Sequence, residues 1–332
     1  MSLSNNRKCP TCGGIMLFDP GWDRLLCQSC GYKEVIPELV SKSALPENDI
    51  ATAQSIASHD WGMETQIVSC RQCGVQTVND KLQLSGRCPF CGSTTVVHIE
   101  PDGDLLAPNG VIPFKIREKQ AEIIFKTWVG ARMLAPDKLK KNAELKTFTG
   151  MYIPLFTFDA DTHNKYSGKF AYDRAGEYAN WFEKSGEFDF FVDDYSVVAS
   201  KKITADPLLM SISDYNTANA KPYTPSALAG YSAEQYSIGL EEAWEVAKSG
   251  MLSVLKTQAR VHESADYKKD VEISTSFSNI KYKYLLVPIW VNSFEYDGKL
   301  YTIVINGQTG KINGKWPKSF GAFLKGAVDL FF

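Results

Sequence analysis

The chain carries almost no surplus charge: 36 Lys and Arg stand against 38 Asp and Glu, a net of −2 over 332 residues. That balance excludes the broad basic surface of a protein that neutralises many phosphates. Neither part escapes it, since residues 1–100 hold eight Lys/Arg and ten Asp/Glu, and residues 101–332 hold 28 of each. A GxxxxGK[ST] loop is missing. Gly307-Gln308-Thr309-Gly310-Lys311 has the wrong spacing and reads as a hairpin turn, which argues against P-loop nucleotide hydrolysis. GxSxG and HExxH are missing too, and His59, His98, His163 and His262 lie far apart and share no motif. There is no apolar run of the roughly twenty residues that a spanning helix needs. The opening MSLSNNRKCP has no apolar stretch either, so no secretory signal is expected and the chain reads as cytoplasmic.

What is present is a cysteine pattern that occurs twice. Cys9, Cys12, Cys27 and Cys30 form CxxC, fourteen residues, CxxC; Cys70, Cys73, Cys88 and Cys91 repeat that spacing 61 residues later, and these eight are all the cysteines. Two residues between cysteines let a tight turn aim both thiolates at one point, and two such turns supply the four sulfurs of a tetrahedral metal site. Gly13, Gly31, Gly74 and Gly92 each follow a CxxC directly, where a left-handed backbone suits glycine. Strand-like segments lie between the turns, Ile15 to Phe18 and Leu25-Leu26 in the first unit, Val75 to Val78 and Leu82 to Leu84 in the second. Each unit therefore reads as a zinc ribbon, with two Zn²⁺ per chain. Iron in a rubredoxin-like site, or an iron–sulfur cluster, would use the same ligand type. Disulfides need an oxidising compartment, and a redox CxxC needs a βαβ setting that paired four-cysteine sets do not provide. With four protein ligands the sites would be closed, so the metal should hold structure. With every thiol so committed, no cysteine nucleophile remains and no enzyme is expected.

The organisation follows from these units: ribbon 1 at 1–35, a linker at 36–64 with one short helix near 49–58, ribbon 2 at 65–99, and an α+β domain at 100–317. Residues 318–332 close the chain as an amphipathic helix. Within the large domain, apolar periodicity predicts helices over 117–134, stopped by Pro136, and over 239–263. Strands are expected at Tyr152–Phe158, 169–172, 188–192, 195–199, 285–294 and 300–305, the last two joined by an Asp297-Gly298 turn. Residues 206–237 read as a long loop. Ile153-Pro154-Leu155-Phe156 and Val287-Pro288-Ile289-Trp290 are each followed by a turn with glycine then lysine and a returning strand, which suggests two related helix-plus-hairpin halves.

Two further features carry candidate chemistry. The stretch 159–194 is acidic and aromatic, and Asp159, Asp161, Asp193 and Asp194 form a candidate carboxylate site; solvent-facing positions on alternating strands are the simpler reading. In the tail, Phe320, Phe323, Leu324, Ala327, Val328 and Phe331 share one helical face that would pack on the domain, bind a partner or lie in a membrane interface.

Beyond the cysteines, Asp60-Trp61-Gly62, Ile112-Pro113-Phe114, Tyr152 to Phe156 and the run Val304 to Lys311 followed by Trp316 to Ser319 resemble a group of bacterial double zinc-ribbon proteins. Members carry labels such as "primosomal protein N′ (replication restart helicase)-like" or "TFIIB-type zinc ribbon-containing"; the helicase label is not carried over, because the ATPase motifs are missing. The resemblance extends to a Bacillus ribbon protein linked to a phage-shock-protein-A-type membrane complex. It implies an adaptor with a protein partner of that scaffold type and peripheral contact with the inner face of the cell membrane. The reading is a non-enzymatic zinc-binding scaffold. Its alternative is nucleic-acid binding by the ribbons in replication or transcription, favoured by a net +2 in residues 7–33 and again in residues 65–99.

Overall fold

The structure, a computed structural model, describes residues 8–41, 45–53, 58–80, 86–100, 106–132, 134–136, 139, 148–172 and 180–318. The first ribbon is a small antiparallel sheet of β1 (Met16–Asp19), β2 (Arg24–Cys27) and β3 (Lys33–Val35). Among the described residues, every other strand joins one twelve-stranded sheet: β4 (Asn48–Asp49), β5 (Thr65–Cys70), β6 (Gln76–Asp80), β7 (Val96–Ile99), β8 (Gly110–Val111), β9 (Thr149–Ala171), β10 (Phe182–Val198), β11 (Lys221–Pro222), β12 (Ser232–Glu234), β13 (Tyr267–Tyr296), β14 (Lys299–Asn306) and β15 (Ile312–Gly314). The described helices are few, chiefly α1 (Glu118–Gly130), α2 (Lys201–Thr204) and α3 (Leu240–His262). Among the described residues no helix is long and apolar enough to cross a membrane.

β9 and β13 form the central antiparallel ladder, and each changes character along its length. Met151 to Ala160 of β9 and Tyr282 to Val291 of β13 are buried without a break, the signature of a strand covered on both faces. From Asp161 to Tyr166 and from Val271 to Ser278 burial follows a period of two, so one face is covered and the other solvated. The expected strands at 152–158 and 169–172 are thus one strand, and those at 188–192 and 195–199 are one strand with a bulge between Val192 and Tyr195. The chain continues through the bulge because Asp194 adopts a left-handed conformation (φ 49°). The covered face of this three-stranded arm lies under α3, whose inward residues Ala243, Ala247, Met251, Leu255 and Ala259 recur at helical spacing. A close approach fixes the choice of Gly250 here, since a Cβ would meet the Tyr195 hydroxyl.

Pro154 and Pro288 sit inside this central ladder, where a proline normally removes a needed donor. Each falls where the neighbour on the outer side changes. Beside β9, pairing with β12 ends at Tyr152 and pairing with β10 begins at Leu155; beside β13, pairing with β8 ends at Leu286 and pairing with β14 begins at Ile289. The carbonyls point to those same outer sides, accepting from Ala199 N (2.9 Å) and Gly307 N (2.8 Å) respectively. The missing N–H groups therefore leave no ladder donor unmatched. Ile153 pairs directly with Val287 across the ladder.

The ribbons are not independent of this body. β6 of ribbon 2 pairs with β12 (Val78 opposite Ala233), which in turn pairs with β9 (Ala233 opposite Tyr152). Ribbon 1 is seated on the main core through Met16, Phe18 and Leu25, with Phe18 N donating to Ala229 O at 2.9 Å and Arg117 paired to Asp19 at 3.3 Å. The stretch read as a linker is packed where it is described. Asn48 and Asp49 pair with β13, Trp61 is buried, and Tyr223 Oη donates to Trp61 O at 3.2 Å. Where its short helix is expected, the described residues form a 3₁₀ turn, Ile50–Thr52, capped by Asp49, with Ala53 in helical conformation after it; residues 54–57 lie outside the described residues.

The long helices match expectation closely at Glu118–Gly130 and Leu240–His262, and Asp297-Gly298 forms the hairpin turn with both residues at positive φ (49° and 69°). Residues 206–237 differ from the expected loop: a helical turn at Pro207–Met210, 3₁₀ turns at Thr217–Asn219 and Pro225–Leu228, and the strands β11 and β12 occupy them. Proline, alanine and serine hide short elements of this kind because none is long enough to show a period. Leu82 to Leu84 and the tail helix, from residue 319 onward, lie outside the described residues.

Candidate metal centres

Four CxxC turns share one backbone pattern. The first cysteine's N–H donates to a carbonyl five residues on (Cys9 to Gly14 2.7 Å, Cys27 to Tyr32 2.8 Å, Cys70 to Val75 3.0 Å, Cys88 to Ser93 2.8 Å). Its carbonyl accepts from the glycine four residues on, namely Gly13, Gly31, Gly74 and Gly92. Those glycines have φ of 72°, 75°, 76° and 74°, the left-handed conformation expected of them. Folding over in this way turns both sulfurs of a CxxC toward the same side.

All eight predicted cysteines are brought into two groups of four, and within each group the sulfurs lie within 4.8 Å of one another. Cys9 and Cys30 Sγ are 3.5 Å apart, as are Cys12 and Cys27; Cys70 and Cys91 are 3.5 Å apart, and Cys73 and Cys88 3.7 Å. Disulfide sulfurs would be ~2.05 Å apart. A tetrahedron with metal–sulfur bonds of ~2.3 Å has edges of about 3.8 Å, so the donor sets fit a four-coordinate ion. The chain can hold two metal ions. Backbone donors also favour the thiolate form that a metal needs. The Cys30 N–H is the largest influence on Cys27 and brings its thiol down to about 6; at Cys9 burial is outweighed by the N–H groups of Cys12 and Thr11, whereas neighbouring sulfurs and burial leave Cys12, Cys30, Cys73 and Cys91 raised. The two centres differ in cover: Cys12 and Cys30 are exposed, whereas Cys73 and Cys91 are half-buried.

The carboxylates resolve differently. Asp159, Asp193 and Asp194 come within 4.8 Å of one another, but Asp161 points elsewhere and accepts from Asn279 Nδ2 at 2.7 Å. Lys283 occupies the centre, with Nζ 2.7 Å from Asp194 Oδ1 and 3.0 Å from Glu47 Oε1. Asp194 N donates to Asp159 Oδ1 and Thr217 Oγ1 to Asp194 Oδ2, both at 2.7 Å. Burial, helped by the Glu47 carboxyl beside it, pushes Asp159 up to about 6. This is an ion lock that ties residue 47, between the ribbons, to the central ladder. Glu47 and Lys283 escaped sequence reasoning, although a lone lysine in the apolar run Tyr282 to Val287 is the signal that marks it.

None of the histidines joins a ligand group among the described residues. His163 is exposed, with Nδ1 2.8 Å from Asp189, and His262 stacks on Phe188 at 5.4 Å.

A further buried acid, Glu234 on β12, also went unread. Ser200 Oγ donates to its Oε1 at 2.7 Å, and burial pushes its carboxyl up to about 7. The folded value exceeds the unfolded one, so Glu234 favours folding most below about pH 4.3 and loses that contribution as pH rises through about 7. Glu234→Gln should therefore match the wild type near pH 4.5 and exceed its stability at pH 8 by on the order of 3 kcal/mol, read from urea midpoints. Equal pH profiles would contradict the assignment.

Compared with known proteins, the chain is 31% identical over 324 residues to "Uncharacterized protein YdjG" of Bacillus subtilis (strain 168), an alignment covering 95% of this chain and 90% of that protein. No protein-family profile matches it, and no solved structure does.

Proposed function

The chain belongs to the family of YdjG, and on that premise we propose that it is a zinc-binding, non-enzymatic scaffold that holds protein partners in the cytoplasm. The carrying observation is the pair of closed four-sulfur sites, one built into the main sheet and the other seated on its core. Four thiolates leave no open coordination position for substrate or water, as in structural zinc sites. The three-stranded arm supports the same reading. Among the described residues β10 pairs on one side only, and β13 has no outer neighbour before β4 meets it at Lys281, so the arm offers strand edges of the kind that extended peptide segments recognise.

The facing Ile153-Pro154 and Val287-Pro288 pairs, each followed by a returning strand, further support an origin of the large domain in two related helix-plus-hairpin halves.

Crosslinking of the tagged full chain in its host, followed by nuclease digestion and mass spectrometry, tests the function. Crosslinks from the arm or ribbons to a defined protein should survive the nuclease. Material that disappears with nuclease would overturn the scaffold in favour of nucleic-acid binding, and the absence of any reproducible protein crosslink would overturn it outright.

A further inference from the structure

A cavity of about 510 Å³ lies between the first CxxC turn of ribbon 2 and the main sheet, lined among others by Cys73, Gln76, Lys201, Lys202, Glu234 and Gln235. Its size is that of a small-ligand site. Two of its lining side chains hold buried oxygens without a hydrogen-bond partner, Glu234 Oε2 and Gln235 Oε1. Glu234 is only 2% exposed, and Ser200 serves its other oxygen alone. Buried acceptors left unmatched are unfavourable and call for donors.

The lysines at the cavity do not supply them. Lys201 Nζ lies 3.7 Å from Glu242; Lys202 also lines the cavity and its charge acts on Glu234 through space, but its Nζ sits over the Phe90 ring, 5.9 Å from its centroid, and donates no hydrogen bond to the acid. The remaining wall adds negative charge: with a divalent ion bound, Cys73 belongs to a group of four thiolates whose total charge is −2. From these juxtaposed acceptors we propose that the cavity binds a cationic nitrogen group, an ammonium or guanidinium, received by Glu234 and Gln235. The site stands independently of the scaffold reading. A free amine or a lysine or arginine side chain of a partner protein would present the same chemistry.

The test uses the full, metal-loaded chain at pH 8, where the Glu234 carboxyl is ionised, and calorimetric titration with N-ethylguanidinium, with N-ethylurea as its neutral isostere and butyrate as the anionic control. The guanidinium should bind at least about tenfold more tightly than either control, and Glu234→Gln should abolish that preference while Lys201→Ala changes binding less than about twofold. Gln235→Ala gives a second variant that leaves the buried acid in place, and it should weaken guanidinium binding severalfold. Agmatine and an acetylated, amidated Gly-Arg-Gly peptide separate the sources: tighter agmatine points to a free amine, a tighter peptide to a partner's side chain. Equal binding of N-ethylurea, unchanged binding in Glu234→Gln, or no saturable guanidinium binding would each overturn the proposal.

Discussion

Cys70→Ser is expected to remove one of two metal ions per chain and to destabilise the large domain together with its ribbon. The reason is continuity of pairing. Cys70 ends β5, β5 pairs with β6, β6 with β12, and β12 with β9 in the central ladder. A structural zinc site contributes apparent free energy of about 10–16 kcal/mol in small ribbons, and a four-ligand site that loses one thiolate forfeits much of it. If only a few kcal/mol of that loss reaches the main sheet, the melting temperature should fall by more than about 5 °C. Cys9→Ser should also lose one ion, yet with a smaller effect on the main transition, because ribbon 1 has its own three-stranded sheet and meets the body through side-chain packing and few backbone bonds. Scanning calorimetry of the two variants distinguishes them, and equal, negligible shifts would contradict the coupling. The same asymmetry predicts that a chelator strips ribbon 1 first, through exposed Cys12 and Cys30.

Lys283→Met should be the most damaging change away from the metals. It leaves Glu47, Asp159 and Asp194 facing one another with their shared cation gone, in a site where Asp159 and Lys283 are both buried. Removing one partner of a buried ion network typically costs about 3–5 kcal/mol, because the remaining charges stay desolvated. The deficit should be largest above about pH 7 and shrink toward pH 5. Asp159 already titrates near 6 in the folded chain, so acidification adds the proton that relieves the repulsion. Urea denaturation at pH 5 and pH 8 measures both values. A deficit below about 1 kcal/mol, or one that does not vary with pH, would show that the lock does not hold residue 47 to the sheet.

Local features were legible in the sequence and distant ones were not. Cysteine spacing carried both four-sulfur groups and their left-handed glycines, because a CxxC turn is decided within a few residues. The helices under 118–130 and 240–262 showed a 3.6-residue period, and Asp297-Gly298 announced its turn by chemistry alone. In the sequence β9 shows as two short strands and β13 only over 285–294, because each crosses from two-sided burial to one-sided burial, which breaks the pattern that a single period would reveal. Ribbon 2 looked like a separate module because the strand that joins it to the body, Ser232–Glu234, is three residues long and lies far along the chain. Glu47 and Lys283 are equally remote from each other, so their pairing needed the fold.

Elemental analysis of the purified full chain, paired with its mass under native conditions, tests the central claim most directly. Two zinc ions per chain are expected, falling to one in Cys9→Ser and one in Cys70→Ser. A folded chain that carries no metal, or keeps its full complement when Cys70 is replaced, would contradict it.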